Sequence, residues 1–207
     1  MTVLSPLAHR PDRLRAVSRT LALVATLWFA LVCWAAASGV LAQLWQPFIA
    51  GLVAVGILLP TLWYFASPLA RIWADHVGLR AITALHIWRI PAALAFFWYG
   101  LNGQLPTLFW ILAGVGDLIA GAWALAVTAR PGSSLAAYAR MHRFGFADFV
   151  VAVGTGLTFT LLLDPRMAPI AALPLALIPL FGVGISGATH LMAFDMLRRA
   201  NARGPSA

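Results

Sequence analysis

The chain has 207 residues, 62% of them hydrophobic, and a mean hydropathy of +0.88. Soluble domains are about 45–50% apolar, and a core of this size cannot hide the excess, so an ordinary soluble domain is excluded and lipid is the expected solvent. All fourteen basic residues are Arg and all six acidic residues are Asp, for a net charge of +8. Without Lys, a Schiff-base retinal or pyridoxal phosphate site is excluded. The Arg residues sit at the ends of apolar runs, which fits a lipid bilayer as partner and argues against nucleic acid. The single Cys33 offers no intrachain disulfide and no Cys-based metal site. An Ala- and Arg-rich composition of this kind fits a GC-biased bacterial genome.

Six apolar stretches read as transmembrane helices, at about residues 18–41, 45–70, 84–101, 108–129, 146–163 and 170–197. Most approach the ~20 residues needed to cross the hydrocarbon core. They lack the period-two alternation of a β-barrel. The first run has a basic lead but is longer than the ~7–15 residues of a cleavable signal core, so it reads as a retained anchor. Pro60 falls within the second run, Pro91 near the start of the third, and Pro174 and Pro179 early in the sixth. Each removes a backbone donor and is a candidate kink. The basic segment between the fourth and fifth runs, 130–143, reads either as a short interfacial helix or as an extension of the fifth helix.

Twelve of the fourteen Arg lie in segments 1–19, 71–80, 130–143 and 198–203. The alternate connections carry only Arg166. By the positive-inside rule both termini are expected in the cytoplasm. The expected fold is an all-α, polytopic bundle of six transmembrane helices, N-in and C-in, forming one domain in the bacterial cytoplasmic (inner) membrane.

Ionisable groups within such helices are costly and normally face a bundle interior. Arg89, Asp117, Asp148 and His190 are the candidates, with His86 and His142 at the margin. Ala113, Asp117 and Gly121 share a stripe of the fourth helix, and Gly182, Ser186 and His190 share one of the sixth. Small residues permit close helix approach, and polar ones bond across. Counting inward from the flanking Arg residues puts Asp148 about 7–8 Å and Asp117 about 20 Å from the cytoplasmic side. Arg89 is expected to pair with Asp148 at similar depth, with Asp117 bonded elsewhere in the bundle.

The polar cluster Arg89, Asp117, Asp148, Ser186 and His190 is therefore the candidate binding site, with no catalytic residue assigned. The leading expectation is a non-enzymatic subunit or a small transport or binding bundle, alone, as a homo-oligomer or with a membrane-protein partner. The alternative is a redox protein using a quinone or haem b. No metal site is assigned; His86 and His190 are the best available ligand pair. Gly114-Val-Gly-Asp117 resembles the Gly-x-Gly-Asp motif of presenilin-like and prepilin peptidases, and Leu173-Pro174-Leu175 loosely resembles the Pro-Ala-Leu element of the former. The resemblance implies aspartyl intramembrane proteolysis, which needs two carboxylates close enough to share a proton. In presenilin-like enzymes the partner Asp lies on the preceding helix. Here that helix has no acid, and the only plausible partner, Asp148, comes later.

Overall fold

The computed structural model describes residues 10–202, which are helical almost throughout; no strand occurs among them. The chain ends expected in the cytoplasm, with Arg203, lie outside the described residues. Six helices are long and apolar enough to cross a membrane. They are α1 (Arg10–Ala37), α2 (Gln46–Ala66), α3 (Leu79–Leu101), α4 (Thr107–Ala129), α5 (Leu135–Leu161) and α6 (Ile178–Ala202). Their outward faces are apolar: Leu27, Leu59, Leu94, Trp98 and Leu161 are all exposed.

Helix α6 is the most enclosed of the six and forms the axis. It packs against α2 and α5, while α3, α4 and α5 form an antiparallel series around it. Helix α1 sits at the edge. Its Trp28 indole donates to the Leu180 carbonyl at 2.6 Å, docking it on the start of α6.

Local chemistry sets boundaries that apolar run length does not reveal. Helix α2 ends at Ala66 rather than near residue 70, because Ser67 begins a new short helix, Pro68–Val77, by accepting from the Ala70 N–H. Proline at the first helical position is favourable there. Gly78, at φ 84°, then turns the chain into α3, which starts at Leu79 rather than near residue 84. Helix α5 begins at Leu135, well before residue 146, with Ser134 capping the Ala137 N–H. The basic 130–143 segment is thus largely an extension of α5. Helix α6 starts late, at Ile178 rather than near residue 170. Residues Pro165–Ala171 form a 3-10 helix, and Pro169 and Pro174 interrupt the run. In the preceding loop Arg166 hydrogen-bonds Asp164 and holds its carboxyl below the usual carboxylate range.

Two irregular turns shape the interior. In α3, Leu85–Trp88 is 3-10 helix, followed by Pro91, which has no N–H to offer the Ile87 carbonyl. Three residues per turn place His86 and Arg89 directly one above the other. In α6, Ile178–Val183 is π-helix and contains Pro179. Such turns accommodate a residue that breaks the regular ladder.

Candidate functional site

The buried charges converge on Arg89, whose side chain is 2% exposed. Its Nε donates to Asp117 Oδ1 at 2.6 Å, its Nη1 to the Gly145 carbonyl at 3.0 Å, and its Nη2 to Asp148. One guanidinium therefore ties α3 to α4 and α5. The expected Arg89–Asp148 contact is present, but Asp117 joins the same group and is not remote from it. The depth difference expected between the two acids fails because Arg143 lies inside α5 and does not mark its end. Counted from the helix start, Asp148 lies thirteen residues beyond Leu135, and Asp117 lies thirteen before Arg130. Both are then about 20 Å along their helices from the same side.

A purely apolar interior would avoid the desolvation cost of this cluster. Breaking it is different: a buried ion left without its partner costs about 3–5 kcal/mol. The position is built to hold it. A Cβ on Gly116 would collide with the Asp148 carboxylate, and one on Gly145 would lie 2.7 Å from His190 Cε1.

One turn from Arg89, three histidines meet. His86 (α3), His142 (α5) and His190 (α6) are fully buried, with one potential ligand nitrogen of each within 4.8 Å of the others. His142 Nδ1 lies 2.9 Å from His190 Nδ1. The flanking threonines define the tautomers. Thr83 Oγ1 donates its only proton to the Leu79 carbonyl at 2.7 Å, so at 2.9 Å it accepts from His142 Nε2. Thr189 Oγ1 likewise donates to the Ile185 carbonyl and accepts from His86 Nε2 at 3.2 Å. The Nδ1 lone pairs of His86 and His142 therefore remain available. His190 then donates through Nδ1 to His142, leaving its Nε2 as a lone pair. His86 Nδ1 and His190 Nε2 are both buried without a hydrogen-bond partner, a state that typically costs about 1–3 kcal/mol per group.

Two expectations change here. His142, expected at the margin, lies two turns inside α5 and is fully buried in the bundle. The haem arrangement on His86 and His190 is not met either. A porphyrin needs its axial imidazoles on opposite faces, whereas these rings stack directly, centroids 4.0 Å apart and tilted by 33°.

Arg89 and Asp117 also border a cavity of about 220 Å³. Its wall is mostly apolar, with Phe96, Phe109 and Phe149 prominent, and includes the π-turn residues Ile178 and Val183. Its polar lining includes Arg89, Asp117 and Ser186. Trp88 Nε1 donates to Ser186 Oγ at 3.0 Å, leaving the serine proton free to point elsewhere. Of the sequence-predicted residues, Arg89, Asp117 and Ser186 line this cavity, Asp148 joins them through Arg89, and His190 belongs to the histidine group. Sequence reasoning missed His142 as a member, together with Thr83 and Thr189; a correct start for α5 would have found His142.

A family model described as a domain of unknown function, DUF8737, matches residues 45–198. The chain belongs to this family. The match spans α2 to most of α6 and contains every residue of the Arg89 and His clusters. No curated protein matches the chain, and no solved structure does.

Proposed function

We propose that this DUF8737 member is a multi-pass protein of the bacterial cytoplasmic membrane. It crosses six times, has both termini in the cytoplasm, and binds a small apolar molecule with a neutral, hydrogen-bonding head. Six apolar helices with apolar outward faces support membrane insertion. The Arg-rich 71–80 and 130–143 segments support the orientation.

The observation that carries the binding reading is the apolar cavity beside Arg89, Asp117 and Ser186. An apolar cavity of about 150 Å³ accepts benzene, so this one takes a substituted single ring. Arginine has five N–H donors, and protein acceptors occupy three on Arg89. The remaining donors and the Ser186 hydroxyl suit a carbonyl oxygen. Two carboxylates against one guanidinium leave the wall net negative when both are ionised, which disfavours an anionic head. A quinone-type ring meets these conditions better than a fatty acid does. The lining reaches Leu157, 41% exposed on the bundle surface. That gives a lateral route between α2 and α5 for a lipid-soluble molecule. The two aspartates are each held by Arg89, which supports binding over a proton-sharing proteolytic pair.

The test is titration of the detergent-solubilised protein with duroquinone, followed by tryptophan quenching. Saturable quenching is expected in the native chain and is expected to be lost in Ala152→Leu, which fills the cavity. Equal quenching in both would reduce the signal to micelle partitioning and overturn the reading. Octanoate binding as tightly as duroquinone would overturn the neutral head.

A further inference from the structure

We propose that His86, His142 and His190 form a binding site for a divalent transition-metal cation of the zinc type. The inference is independent of the cavity ligand.

The donor set is three imidazoles from three helices, a combination that suits borderline cations such as Zn²⁺, Co²⁺ or Fe²⁺. Two already have the tautomer of a ligand. His142 and His86 are held through Nε2 by Thr83 and Thr189, and this leaves each Nδ1 lone pair directed away from its threonine. A hydrogen bond on the far nitrogen is the usual way a protein fixes the tautomer and orientation of a ligating histidine. His190 supplies the third nitrogen. Its Nδ1 stands 2.9 Å from that of His142, while two imidazole nitrogens on one tetrahedral zinc lie about 3.3 Å apart, given zinc–nitrogen bonds near 2.0–2.1 Å.

Loading moves one proton and turns one ring. The His190 Nδ1 proton moves to Nε2, so the imidazole stays neutral and Nδ1 gains its lone pair. His86 turns out of its stack on His190, because a bound ion must lie in the plane of each ring. Its Nδ1, buried without a partner, then gains one. Charge is compatible: the neighbouring Arg89 cation faces Asp117 and Asp148, so the surroundings are net negative when both are ionised. Three protein ligands leave one position open, as in zinc sites that bind a water or small ligand.

The competing explanation is a metal-free hydrogen-bonded trio. That arrangement accounts for one nitrogen pair, His142 Nδ1 with His190 Nδ1, and leaves two buried lone pairs unanswered. A single cation answers the His86 lone pair directly.

The experiment is Co²⁺ titration of the full-length protein in detergent, read by visible absorption and by metal content after desalting. One cobalt per chain with tetrahedral-type absorption is expected, displaced by Zn²⁺. His142→Ala and His190→Ala should abolish uptake. His76→Ala, in the short helix outside the cluster, should not. Thr83→Val keeps every ligand and the apolar volume, and is expected to weaken affinity about 10–100-fold. That variant keeps the test decisive if a histidine variant does not fold. No cobalt uptake, or uptake unchanged in His142→Ala, His190→Ala or Thr83→Val, overturns the assignment.

Discussion

Arg89 is the residue on which the interior depends. It reaches two carboxylates and a carbonyl from a single buried position. Replacing it with Leu leaves Asp117 and Asp148 without their cation and is expected to destabilise the protein by about 3–5 kcal/mol. Asp148→Asn in the same chain should recover part of this, a coupling of about 0.5–3 kcal/mol. Unfolding midpoints of the two single variants and the double variant measure it, and strictly additive losses would mean the pair does not interact. The identity of these residues was legible because charge inside an apolar run is conspicuous. The Arg89–Asp148 pair was legible as well, but the place of Asp117 beside it was not, because depth was counted from Arg143, a residue that proved to lie within its helix. The histidines show the same contrast. His190 stands out deep in a run, while His142, near Arg140 and Arg143, reads as a residue of the margin; the start of α5 at Leu135 puts it inside the helix.

At the scale of elements, the bundle is set by where backbones approach. Gly184 on α6 meets Gly56 on α2, and a Cβ there would lie 2.8 Å from the Gly56 carbonyl oxygen. Backbone cannot move aside as a flexible side chain can. Gly184→Ala is therefore expected to cost about 1–3 kcal/mol by overpacking. Gly154 on α5 has open space where a Cβ would stand, with nothing within 4 Å, so Gly154→Ala should be neutral or gain up to about 1 kcal/mol from helix propensity. Thermal unfolding of the two variants in detergent decides it; equal midpoints would remove the α2–α6 contact as a determinant. Helix existence was readable from run length, but the ends were not. Capping by Ser67 and Ser134, the left-handed Gly78 and the prolines before Ile178 set them, and these signals compete with hydrophobicity rather than follow it.

At the scale of the whole molecule, the apolar outside and the charged inside invert the arrangement of a soluble protein. The proposed orientation predicts that a phosphatase reporter inserted after Gly103 is active in the periplasm, while one inserted after Gly132 is not. The reverse pattern would turn the molecule over and put the His cluster nearer the outer face. What the sequence by itself determined was the class of the protein: six apolar helices, and a handful of ionisable residues within them. It could do so because both signals are local, a run of side chains or an exception within one. Only the tertiary structure decided which groups meet. Arg89 joins both aspartates, three histidines from different helices converge, and an apolar cavity opens beside them. Those contacts link residues far apart in the chain, and their partners depend on helix ends and irregular turns that shift register by several residues.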